Sequence, residues 1–331
     1  MAAPRLSAKN RTVSSREVSP RRIQVPRSFA GRSTLRALLT LCGCFTAGCD
    51  EQVADPNFDA SVARPAYSGD GPHVLFDEGH FNFHTTIGRY KPFADLIRSD
   101  GYRVTPSVSR LTAELLDGYE VLAIANALGA EGIESPEAAR SAFTDPECKA
   151  VRDWVDRGGS LLLITDHHPT GSAVQSLARE FEVYMSTGTS GHFEFTAHAG
   201  LPGNHPIIRG RDPRETVQRV RTYTGQSLNG PPGSAALLVL PEDAVEGLPT
   251  AAGPHVRLVE GPAMYPAQAV ALRFGAGRVV VLGEAAVLSA QIRRGKPVGM
   301  NAPGLDNRQF ALNIMHWLSG LLPDEQTAAI E

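Results

Sequence analysis

The sequence predicts an α/β fold built on a mostly parallel sheet with helices on both faces. Short apolar runs at 73–76, 120–126 and 161–164 recur between stretches of helical period. Those runs are apolar through their middles and do not alternate, as expected for strands covered on both sides. Each helical stretch also carries its own start or stop signal, so strand and helix follow one another in a βαβ rhythm.

The elements follow in order. HVLF at 73–76 is a strand, and 91–99 is a helix with Pro92 in its first turn and Gly101 just past its end. Residues 102–105 form a second strand, 111–116 a short helix, and EVLAIAN at 120–126 a third strand. An amphipathic helix at 144–157 stops at Gly158-Gly159, and the strand at 161–164 leads to a helix at 172–181. The second half is less regular. Residues 186–210 are rich in Gly and His without a period, and strands fit at 219–223, 235–240, 269–274 and 279–282. Gly275-Ala276-Gly277 lies between two strands and is therefore a hairpin turn, because a phosphate-cradling loop needs a helix after it. A last helix, 306–322, has Asp306 and Gln309 spaced as a capping box and Phe310, Ile314, Trp317 and Leu321 as its buried stripe.

The N-terminus differs from the rest. Residues 1–48 hold nine basic residues and one acid, and they end in a short apolar segment followed by Thr46-Ala47-Gly48-Cys49. A basic start, about a dozen apolar residues and small residues at the break describe an export signal. Small residues before a cysteine resemble the bacterial lipobox, with Cys49 lipidated as the mature N-terminus. The expected organisation is a lipoprotein signal at 1–48, a lipid-anchored linker at 49–72, one α/β domain at 73–322 and a tail at 323–331. Removing the signal leaves 23 basic against 34 acidic residues. So acidic a chain has no electrostatic footprint for nucleic acid, and its expected membrane contact is the lipid anchor alone, at the cell envelope.

In an open α/β sheet, ligands bind outside the carboxyl ends of the strands. Three strand ends here are polar: Asp77-Glu78-Gly79-His80, Asp166-His167-His168 and Gly283-Glu284. Asp77, His80, Asp166, His167, His168 and Glu284 are the expected catalytic set, since a carboxylate can orient an imidazole for acid–base work. Asp77, His80, Asp166 and His168 are also metal-type ligands, so a divalent metal is one use of the same set and no cofactor is fixed. Glu78, Phe81, His84, Gly171 and Ser172 are the expected ligand-binding residues. Phe81 and Phe83 offer a stacking face, and the helix opening at Gly171-Ser172 offers its amides to a polar group. The expected partner is a small polar ligand of carbohydrate type. The competing expectation is a binding or scaffolding module without chemistry.

The blocks VLFDEGH, DWVDRGGSLLLITDHHPTGSA, GRVVVLGEAA and DNRQFALNIMHWLSG resemble a bacterial family of the class I glutamine-amidotransferase-like superfamily, domain-of-unknown-function family 4350. Trehalose-utilisation-like proteins are its more distant relatives. The resemblance spans about 73–322 and implies a flavodoxin-like three-layer sandwich with its site at the strand ends. It does not carry amidotransferase chemistry. The superfamily's nucleophilic cysteine follows the strand matched by 161–164, where this chain has Thr165 and Asp166. The partner His-x-Glu pattern is reduced to Glu284. An activity, if there is one, is therefore hydrolytic and not glutaminase.

Overall fold

The computed structural model describes residues 52–251 and 256–324. The signal segment and Cys49 lie outside the described residues, as does most of the expected tail.

The main sheet is assembled from β2 (His73–Asp77), β3 (Arg103–Ser107), β4 (Val121–Ala125), β5 (Ser160–Ile164) and β10 (Gly277–Leu282). These five run in spatial order β3-β2-β4-β5-β10, every pairing parallel. β9 (Ala267–Phe274) continues the sheet antiparallel to β10. The short strands β6 (Tyr184–Met185) and β7 (Leu228–Asn229) and the strand β8 (Ala235–Val239) then extend it beyond β9. All five residues of β4 and of β5 are buried, which explains their unbroken apolar runs.

Side chains of alternate parity feed two cores. Val74, Phe76, Ala123, Leu162 and Val280 pack on one face with Phe93 and Ile97 of α1 (Lys91–Ser99) and Phe310 and Trp317 of α4 (Asn307–Leu318). Leu75, Leu122, Leu161, Leu163 and Val279 pack on the other with Val151 and Trp154 of α2 (Asp145–Asp156) and Leu177 of α3 (Thr170–Arg179). The fold is thus a flavodoxin-like three-layer sandwich. No helix among the described residues is long and apolar enough to cross a membrane.

α2 begins with a capping box. The Glu147 carboxylate accepts the backbone N–H of Thr144 at 3.0 Å and its hydroxyl at 2.7 Å. Thr144→Ala removes half of that arrangement, and chemical denaturation is expected to show a loss of about 1 kcal/mol.

Three readings of the sequence need correction. The box expected at Asp306 does not form, because its carboxylate accepts the N–H groups of Gln218 and Arg219 and Gln309 donates to Asn313. Leu321 is partly exposed and Leu322 is the buried residue. The segment read as a linker is largely packed on the domain. Its Gln52–Ala54 (β1) pairs with β11 (Ala290–Arg293), which pairs in turn with β12 (Lys296–Gly299), and Phe58, Val62 and Tyr67 lie against the core.

Candidate ligand cavity at the strand ends

β2 enters the sheet first, β3 joins one side of it and β4 the other, so the connections diverge at the carboxyl ends of β2 and β4. Ligands bind at such a switch point. A cavity of about 120 Å³ opens there. The loop after β2 brings Phe83, His84 and Arg89; β4 is followed by Asn126, β5 by Asp166, His167 and Thr170, and β10 by Ala286. Tyr223 and Thr224 form a further wall, and the β1-β11-β12 sheet closes it with Gln52, Gln291, Arg293 and Val298.

Asp166 is held firmly at the mouth of β5. One carboxylate oxygen accepts the His167 N–H at 2.7 Å and the Thr224 hydroxyl at 3.0 Å. Its backbone N–H donates to Thr170 Oγ1 at 2.9 Å, and its carbonyl accepts from Gln226 Nε2 at 2.7 Å. The His167 ring bonds through Nδ1 to the His168 carbonyl at 2.7 Å, so Nδ1 is the donor and, in the neutral ring, Nε2 carries the lone pair. His84 bonds through Nδ1 to the Phe83 carbonyl at 3.2 Å and stacks on Tyr90 with centroids 4.8 Å apart. Burial, helped by the Arg89 charge, pushes its imidazole down to about 3, so it is neutral.

Two residues of the lining leave a buried oxygen without a partner among the described residues: Asn126 Oδ1 and Gln291 Oε1. Such atoms cost free energy unless a ligand, water or small shift satisfies them. Asn126 also holds a left-handed φ of 47°, a strained backbone of the sort found where a side chain must be aimed at a site.

The expected site residues separate into groups. Asp166, His167 and His84 line the cavity. Glu284 lies behind it, fully buried, accepting the N–H groups of Ala286 at 3.0 Å and Val287 at 2.7 Å. Burial, and then the neighbouring Asp166 charge, raise its carboxyl well above the usual range. His168 is buried outside the lining, with its N–H on the Gly188 carbonyl. Asp77 and His80 are not brought to the cavity. His80 lies between two carboxylates, Nδ1 2.8 Å from Asp77 and Nε2 3.1 Å from Glu147. Glu78 closes the following loop by accepting the N–H and hydroxyl of Thr86, and Phe81 is exposed. Gly171 packs against Gln226, and Ser172 is half-buried outside the lining. With both its ring nitrogens engaged, His80 has no lone pair for a cation. No group of three or more His, Cys, Asp or Glu among the described residues is arranged to hold a metal ion.

Asn126, Arg89, Tyr223 and Gln291 were not among the residues expected at the site. Asn126 ends a strand as Asp166 does, so the same rule could have found it. Tyr223 and Gln291 come from the irregular second half, where no sequence signal marks them.

No family model and no curated protein matches the sequence. Among solved structures, the N-terminal domain of mmIFT52 is similar over 78% of this chain and 99% of that one, at 16% identity and a TM-score of 0.52. A ThuA-like protein from Bacteroides uniformis is similar over 77% of this chain and 94% of its own, with 13% identity and a TM-score of 0.41. PurLQS from Thermotoga maritima is similar over 75% and 99%, with 10% identity and a TM-score of 0.39. At such identities the first of these shows the α/β fold and nothing about activity.

Proposed function

We propose that this chain is an exported, lipid-anchored envelope protein whose α/β domain takes up a small polar ligand in the strand-end cavity. One observation supports the ligand most: two buried amide oxygens without a partner among the described residues, on Asn126 and Gln291, belong to one cavity that also presents Asp166, His167 and Arg89. The anchor rests on the Cys49 signal, and the narrower placement in family 4350 rests on the sequence blocks. A thermal-shift screen of sugars, polyols and short acids on the purified chain tests the ligand site. At least one compound is expected to raise the unfolding temperature saturably, and Asp166→Ala to weaken its binding about tenfold or more. No response from any compound refutes the reading. The anchor is tested separately, since Cys49→Ser is expected to abolish acyl labelling and release the protein from the membrane fraction.

A second reading, hydrolysis, is favoured by the fixed His167 tautomer, whose Nε2 can take a proton from water beside Asp166. On that reading His167→Gln abolishes turnover while ligand affinity stays within about threefold.

A further inference from the structure

Among the described residues, the cavity sets the Arg89 guanidinium and the Asp166 carboxylate into one lining. The Arg89 guanidinium lies 4.6 Å over the Phe83 ring and is half-buried. No described residue gives its N–H groups an acceptor. A planar fork of donors left open at a cavity matches a carboxylate. The neighbouring imidazole of His84 is neutral and adds no competing charge.

The opposite requirement comes from the oxygens. Asp166 offers a carboxylate, while Asn126 and Gln291 each carry an amide oxygen without a donor among the described residues. A bare acid would leave that wall unanswered, whereas a hydroxyl can donate to it. Size then selects among hydroxy acids. The space of about 120 Å³ is somewhat below the roughly 150 Å³ known to hold one benzene. A two- or three-carbon acid fits within it, whereas a hexose ring with its exocyclic hydroxyls would project from it.

We propose that the cavity takes a short 2-hydroxycarboxylate, with its carboxylate on Arg89 and its hydroxyl donating to one of the oxygens that Asp166, Asn126 and Gln291 present. This assignment rests on the reading of the cavity as a ligand site. Isothermal titration of the whole chain with lactate, its uncharged isostere lactamide, and glycerol tests it. Lactate is expected to bind saturably and lactamide about tenfold more weakly or worse. Arg89→Gln should erase that preference and Arg89→Lys should keep part of it, with unfolding temperatures confirming that both variants fold. Equal affinity for lactate and lactamide, unchanged by Arg89→Gln, overturns the carboxylate assignment and leaves the ligand-site reading in place. No binding of any of the three overturns the assignment; the ligand-site reading falls with it only if the wider screen is also silent.

Discussion

Replacing His80 by alanine is expected to lower the unfolding free energy by about 3–5 kcal/mol and to leave ligand binding in the cavity within about twofold. The substitution empties the position between Asp77 and Glu147. The Asp77, His80 and Glu147 side chains are all more than nine-tenths buried. Asp77 would keep its bonds from Asn82 and the Gly79 N–H, and Glu147 those from Thr144, but both carboxylates would lose their shared cation. Breaking a buried pair costs more than the pair is worth intact, because the remaining charge cannot recover its water.

The pH dependence has a definite sign. Burial opposes charge on His80, but its bonds to Asp77 and Glu147 outweigh that and raise it above its ordinary 6.5. Its contribution is therefore complete below 6.5 and lost as pH rises through the raised value. Burial pushes Glu147 upward, while its bonds to Thr144 and His80 prevail and bring it down to about 2 from an ordinary 4.5. That contribution is complete above 4.5 and fades as pH falls toward 2. The stability gap between the parent chain and His80→Ala should thus be widest between 4.5 and 6.5 and narrow on both sides. A gap that stays constant from about pH 5 to 9 would rule out a charged His80 as the source. A loss of ligand affinity with unchanged stability would return His80 to the binding site.

The same residues show what was legible in the sequence. Asp77 and His80, three apart at a strand end, were readable as a pair. Their third member was not, since Glu147 arrives from the first turn of α2, far along the chain. The parallel strands were legible because burial on both faces demands continuous apolar runs, as in LLLI at 161–164. Asp306 misled because its capping competence is local, whereas the N–H groups that claim it belong to Gln218 and Arg219 on another element. The cavity was half legible for a similar reason. Asp166, His167 and His84 follow strands and obey a positional rule, while Tyr223 and Gln291 are delivered by long-range packing that leaves no periodic trace.

Gly171→Ala should cost about 2 kcal/mol in unfolding free energy and about tenfold in affinity for the cavity ligand. Gly171 lies in the first turn of α3, where a Cβ would fall 2.0 Å from Gln226 Nε2 and 2.4 Å from its Oε1. A flexible side-chain tip could swing away at little cost, but this amide is pinned at both ends. Its Nε2 donates to the Asp166 carbonyl at 2.7 Å, and its Oε1 accepts the Thr187 N–H at 2.9 Å. Gln226 is also fully buried, so displacement breaks two bonds with no water to replace them. The Asp166 turn then loses one of the contacts that hold its carboxylate at the cavity. The double variant Gly171→Ala with Gln226→Ala separates the clash from the lost bonds. It should be less destabilised than the sum of the two single changes, because removing the amide makes room for the methyl. Strict additivity would mean that Gln226 does not occupy the space in front of Gly171. Wild-type stability in Gly171→Ala alone would mean that the turn presenting Asp166 tolerates the shift, and the link from helix packing to the ligand site would fail.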